Sequence, residues 1–198
     1  GIVSPFDSLA PTYAQDWSQS PKGRAQREEV WRQIDALFEP GMQVLDFGCG
    51  IGDDAVHLES RQVRVTGVDP SGGMRAHAHI KVLEEIPDTI FDGVLSNFGA
   101  LNCVEDLEQQ AELLARHLRP DGFAAICIMG RFAWNDLRHA WQRLTGRSTW
   151  RGIAIRYWSS GQMRFAFRHG FTFLKRVPIG GGDHQLYIFQ RTSRRSGS

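Results

Sequence analysis

The run Val44 to Asp53, VLDFGCGIGD, constrains the fold more than any other stretch of the chain. An apolar strand enters a Gly-x-Gly-x-Gly turn, and the next strand-like run, Val63 to Asp69 (VRVTGVD), ends on an acid one βα unit later. Gly48, Gly50 and Gly52 let the chain turn sharply from strand to helix while its backbone approaches a ligand that a Cβ would obstruct. Asp69, at the carboxyl end of a parallel strand, is placed to accept hydrogen bonds from both hydroxyls of a ribose. This is the layout of a nucleoside-binding α/β fold.

The acids decide which nucleoside. Asp53 stands where a dinucleotide fingerprint carries its last glycine, and the helix opens with Asp53 and Asp54. Two carboxylates in a first turn suit the helix dipole but repel a diphosphate. Asp46, inside the first strand, adds a negative charge where an apolar side chain is usual, and a buried carboxylate requires donors or a cation. The ligand therefore lacks phosphate and carries positive charge, as S-adenosylmethionine does with its ammonium and sulfonium. A pocket bordered by Asp46, Asp53 and Asp69 selects a cationic adenosine derivative over NAD or ATP.

Four segments in order, VLDFGCGIGDDAVHL, VTGVDPSGGM, FDGVLSNFGALNCVEDL and LARHLRPDGFAAICI, span about Gly41 to Ile128. Through them the chain resembles the class I S-adenosylmethionine-dependent methyltransferases. The resemblance implies that the turn Gly48, Cys49, Gly50, Gly52 contacts the methionine part of the cofactor and that Asp69 binds the ribose. It also implies that Asp46 helps to hold the amino group, and that Pro70 and Met74 pack against adenine. Asn97, Phe98 and Gly99 fall in the segment that closes over the methionine and faces the substrate. The N-terminal FDSLAPTYAQDW falls where such enzymes carry a lid, and its Tyr13 either encloses the sulfonium or packs on the sheet edge. One stretch departs from the family: between Met74 and Phe91 there is no room for the usual longer helix, strand and adenine-binding acid. Glu84 and Glu85 read there as solvated charges rather than as its replacement.

Ser20-Pro21 opens a helix whose Val30, Ile34, Leu37 and Phe38 share a face and which stops before Pro40-Gly41. Leu107, Ala111, Leu114, Ala115 and Leu118 form a second stripe, ended by Arg119 to Gly122 and followed by a strand from Phe123 to Ile128. Phe171 to Val177 and Gln185 to Arg191 are strand-like and joined by a connection too short for a crossover helix, so they pair antiparallel. The fold class is α/β: a Rossmann-like, doubly wound, mostly parallel sheet with an antiparallel C-terminal hairpin and helices on both faces. Residues 1–192 read as one domain, with lid and helix at 1–40, cofactor core at 41–130, and substrate-side insert and hairpin at 131–192. Residues 193–198 (SRRSGS) read as a flexible tail, and Gly1 as a tag remnant.

A net charge of +1 over 198 residues, with a pI near 8.0, gives no broad electrostatic footprint for nucleic acid. Cys49, Cys103 and Cys127 have no paired spacing and read as reduced thiols. His77 and His79 form an H-x-H pair without a further ligand, so no metal is expected. No membrane span or signal peptide is visible, and the cytoplasm is the expected location.

Beyond the fifth strand, Arg131 and Trp134 are pocket candidates, whereas Trp134, Leu137, Trp141 and Leu144 also have the spacing of a helix's core face. Tyr13, Asp16, His139 and His184 are the titratable groups available above the strand ends, and no spacing singles out a catalytic base. SNFGALN, without a proline-aromatic pair after the asparagine, resembles bacterial small-molecule enzymes rather than DNA amino methylases. The expected activity is methyl transfer to a small molecule in bacterial specialised metabolism. A non-methylating enzyme using the same cofactor and a catalytically silent cofactor-binding domain stay open as alternatives.

Overall fold

The computed structural model describes residues 6–131 and 140–193. A single turn, α1 (Ala10–Tyr13), leads through a π turn at Ala14–Ser18 into α2 (Pro21–Ile34). Ser20 caps α2 by accepting the amide proton of Gly23 at 3.0 Å, and Pro21 sits where no amide hydrogen is needed. The helix stops at Ile34, earlier than the Pro40-Gly41 signal implied, and Phe38 completes its apolar face from the following turn.

Strand and helix then alternate: β1 (Gln43–Phe47), α3 (Asp53–Ser60), β2 (Arg64–Val68), α4 (Gly72–Ala76), β3 (Val82–Leu83) and β4 (Phe91–Ser96). A tight turn at Ala100–Cys103 leads to α5 (Leu107–His117) and β5 (Leu118–Met129). Leu118, expected to finish the α5 stripe, begins β5 instead. It pairs with Phe91, Phe123 pairs with Gly93, and Arg119–Gly122 bulges out between the two pairs. β3 has only two residues, yet it pairs parallel with β2, so the shortened stretch after Met74 still supplies a strand.

The sheet runs β3-β2-β1-β4-β5-β9-β8, where β8 (Phe171–Ile179) and β9 (His184–Arg191) are the expected antiparallel hairpin. β9 lies between β5 and β8, antiparallel to both, and the other strands from β3 to β5 are parallel. Alternate residues serve opposite faces. Leu45, Val94, Ile126 and Phe189 join α5 and α7 (Ser160–Ala166) in one core, whereas Val44, Leu95, Cys127 and Ile188 join α2 and α3 in the other. Burial on both faces requires the near-continuous apolar strands seen in the sequence.

Between β5 and α7 the structure corrects the reading from sequence. α6 (Ala140–Thr145) leaves Trp141 77 % and Leu144 57 % exposed, so they are not a core face. The side chain that α6 buries is Arg143, which donates to the carbonyl of Gly130 at 2.6 Å and lies over the Tyr157 ring. A separate hairpin follows, β6 (Arg147–Trp150) with β7 (Ile153–Arg156), which aromatic spacing did not signal. Gly1, Trp134, Leu137, His139 and the proposed tail beyond Ser193 lie outside the described residues. Among the described residues, no helix is long and apolar enough to cross a membrane.

Candidate active site

Gly48, Gly50 and Gly52 have φ of +71°, +57° and +91°, the left-handed region that side chains disfavour. A Cβ on Gly48 would lie 2.3 Å from the Cβ of Ala100, and one on Gly52 would lie 2.8 Å from Ile80. Close packing by the protein itself thus adds to the demands of the turn. The amides of Gly48 and Cys49 both donate to the carbonyl of Val68, at 2.8 and 3.1 Å, tying the turn to the end of β2. Asp69 completes the frame: its carboxylate accepts from the amides of Gly50 and Ser71, each at 2.9 Å. Burial nevertheless pushes the Asp69 carboxyl above the usual carboxylate range, against the pull of those amides.

Asp46 is fully buried on β1, and neither carboxylate oxygen has a hydrogen-bond partner. Burial first, and the nearby Asp54 next, push its carboxyl well above the ordinary range, with Arg27 opposing. Asp54 is the organising acid. It accepts from Arg27 Nη1 at 2.7 Å, from the Trp31 indole at 2.8 Å, and from the Asn97 amide at 3.2 Å to both oxygens. Asp53 lies further out, 3.7 Å from Arg27 and 3.5 Å from His79. Asp53 is the discriminating acid by its place in the glycine motif, whereas the structure buries Asp54 and sets the Arg27 cation between the two. Arg27 was missed, although it lies on the apolar stripe of α2, three residues before Val30, where a charge is out of place.

The N-terminal segment packs over this frame. Tyr13 comes within 4.0 Å of where a Cβ on Gly50 would lie, and with Phe6 it packs against the buried cluster of Ala10, Ile51 and Met74. Burial pushes the Tyr13 phenol up to about 12. Asp7 pins the segment to α4, accepting from the Ser71 hydroxyl at 2.7 Å and the Gly73 amide at 2.8 Å. Met74 is buried here, Pro70 is exposed, and Glu84 and Glu85 are exposed, with Glu84 paired to Arg75 at 3.4 Å.

On the other side of the turn, the Asn97 side chain is committed to Asp54 and to the amide of Phe98. Phe98, at φ +48°, turns its ring toward Trp17, His184 and Arg27, and Gly99 at φ +89° continues the turn. His184 is buried, its Nδ1 has no partner, and burial pushes its pKa down to about 4. Of the other titratable candidates, Asp16 is exposed and paired with Arg151 at 3.6 Å.

Asn102 ties the β4 turn to the neighbouring strands. Its amide donates to the carbonyls of Met129 at 2.9 Å and Arg156 at 2.6 Å, and its oxygen accepts from the Met129 amide at 2.8 Å. The three cysteines are free, and burial pushes Cys103 up to about 11 and Cys127 up to about 12, so both are held as thiols. Among the described residues no cluster of His, Cys, Asp and Glu has the form of a metal site, and His77 and His79 turn to separate partners.

Residues 23–173 match the family model described as a methyltransferase domain. Malonyl-[acyl-carrier protein] O-methyltransferase of Pectobacterium atrosepticum is 32% identical over 117 residues, covering 54% of this chain and 46% of that protein. Trans-aconitate 2-methyltransferase of Deinococcus radiodurans is 33% identical over 111 residues, covering 49% and 42% respectively. The chain spans about half the length of the curated relatives it matches. In the complex between the Haloferax volcanii Trm112 methyltransferase activator and a methyltransferase, one chain superposes with a TM-score of 0.72 at 19% identity, covering 100% of both chains. With the family match running from within α2 into β8, the chain belongs to the class I S-adenosylmethionine-dependent methyltransferases.

Proposed function

We propose that the protein transfers the methyl group of S-adenosylmethionine to a small-molecule acceptor. The observation that carries this reading is Asp46, a carboxyl group with no exposure and no partner for either oxygen, beside a left-handed glycine turn. Such a group is costly unless a cation completes it, and the ammonium of a methionine moiety fits that requirement. Gly48, Cys49, Gly50 and Gly52 would line the methionine part. Asp69 would accept from the ribose hydroxyls, and Pro70 and Met74 would flank the adenine. Asn97, Phe98 and Gly99 would close over the methionine.

Bound there, the cofactor supplies a methyl group on a sulfonium, which is already a good leaving group. The protein's task is to align an acceptor and keep water out. Tyr13 and the segment pinned by Asp7 serve to cover the turn, and Phe98, Trp17 and His184 form an aromatic wall beside it. The acceptors in the names of two relatives, a malonyl carrier and trans-aconitate, favour an acid of central or specialised metabolism over nucleic acid.

Calorimetry with S-adenosylhomocysteine is the direct test, with binding expected for it and none for NAD. Incubation with S-adenosylmethionine and a crude metabolite extract should then release S-adenosylhomocysteine. Methylthioadenosine, or binding without turnover, would favour cyclisation or a silent domain instead. Tight NAD or ATP uptake with none of the sulfonium compound would overturn the reading.

A further inference from the structure

We infer that Arg131, Arg147 and Arg156 form a binding site for the carboxylate or phosphate group of an anionic acceptor. The inference rests on the methyltransferase reading for the identity of the ligand as an acceptor, and on charge and packing for the site itself. The three arginines line one cavity of about 420 Å³ beyond the end of β5, together with Thr145, Trp158 and Gln162. Among the described residues no acid lines it, and none of the three guanidiniums has a carboxylate partner.

Arg147 and Arg156 stand directly opposite each other in the β6–β7 ladder. Like charges in a cross-strand pair are destabilising, and a hairpin selected for stability alone would place an acid at one of the two positions. Arg131 adds a third positive charge, and its Nε is buried without a hydrogen-bond partner. Its guanidinium lies against Gly146, where an added Cβ would come within 3.0 Å of Nε. Gly146, at φ +76°, therefore both makes the turn before β6 and leaves room for the Arg131 side chain. Convergent guanidiniums without counter-ions form a planar, multidentate donor set suited to a carboxylate or phosphate.

The cavity is joined to the cofactor turn by a short path. The carbonyl of Arg156 accepts from Asn102, and the indole of Trp158 donates to the carbonyl of Leu101 at 2.8 Å. Leu101 and Asn102 belong to the turn whose Ala100 packs on Gly48. One turn thus has the glycine loop on one side and the arginine cavity on the other. An acceptor anchored by its anionic group at the arginines would be oriented relative to the site of methyl transfer.

The test is a calorimetric titration of the full chain with tricarballylate and, separately, with phenyl phosphate, using the neutral tricarballylic triamide as control. Saturable binding of at least one anion is expected, weakening as salt is raised, and the tighter of the two identifies the favoured group. Arg147→Gln and Arg156→Gln should each weaken it at least fivefold, and the double variant should abolish it. Thermal melts of the same variants should equal or slightly exceed the parent, since the like-charge pair is relieved, and their S-adenosylhomocysteine titrations should match it, which separates loss of the anion site from loss of the fold. Failure of both anions to saturate, or unchanged affinity in the double variant, would sink the inference while leaving the methyltransferase reading intact. If S-adenosylhomocysteine itself does not bind the parent, the methyltransferase reading falls, whatever the anions do.

Discussion

Arg27 Nη1 lies 2.7 Å from Asp54 Oδ2, with the two side chains only 8% and 5% exposed. The pair joins α2 to the first turn of α3, and Asp54 extends it to Asn97 at the end of β4. Removing one partner of a buried pair leaves an uncompensated charge, which costs far more than the intact pair contributes. Arg27→Met should therefore destabilise the protein by about 3–5 kcal/mol. Urea unfolding is the measurement, and a loss below about 1 kcal/mol would show that water reaches Asp54.

Asp46 should act in opposite directions on stability and on binding. Its folded carboxyl is raised above the unfolded value, so between those two pKa values the unfolded chain has lost a proton that the folded chain keeps. The stabilisation is complete below the unfolded carboxyl pKa and is lost as pH rises through the folded one. The contribution is at most about 1.4 kcal/mol per pH unit. Asp46→Asn should flatten that fall in stability while weakening S-adenosylhomocysteine at least tenfold. Melting curves from pH 4 to 8, with and without ligand, read both effects; equal affinity in the variant would remove Asp46 from the site.

Two glycines separate backbone strain from steric exclusion. Gly41 has φ +90° with nothing within 4 Å of an added Cβ, whereas Gly48 combines φ +71° with a 2.3 Å clash against Ala100. Gly41→Ala should cost about 1–2 kcal/mol from conformation alone. Gly48→Ala adds overpacking of about 1–3 kcal/mol to a similar strain and should also abolish cofactor binding. Denaturant midpoints compare the two directly, and equal losses would mean that Ala100 moves aside freely.

His184 predicts a loss of stability in mild acid. Its folded pKa is lowered from 6.5 to about 4, so below about 6.5 the unfolded chain takes up a proton that the folded chain refuses. Stability is fully present above the unfolded pKa and falls as pH drops through the window toward 4, by roughly 3 kcal/mol over its width. His184→Phe should remove this share of the acid sensitivity. Unfolding free energies at pH 7.5, 5.5 and 4.5 test it, and a variant with the parent's pH profile would show that the imidazole is hydrated in the fold.

The strand, glycine turn, helix and acid series are legible along the chain, because each piece is a local requirement. Left-handed backbone at Gly48, Gly50 and Gly52, apolar periods in β1, β4 and β5, and the cap at Ser20 are all set by neighbours in the chain. The antiparallel C-terminal hairpin was legible for the same reason, since Pro178 to Asp183 is too short to cross over.

Tertiary structure decided the charges and the region after β5. Whether Asp53 or Asp54 is buried depends on how α3 rotates against α2, and Arg27 reaches them across 27 positions of sequence. Trp141 and Leu144 show a helical period that means burial only if a neighbour covers that face, and α6 is held instead through Arg143. The β6–β7 ladder brings Arg147 opposite Arg156, and the end of β5 adds Arg131. Periodicity tells which residues share a face of one element. Which faces meet, and which charges are left without partners, is fixed only when distant elements pack.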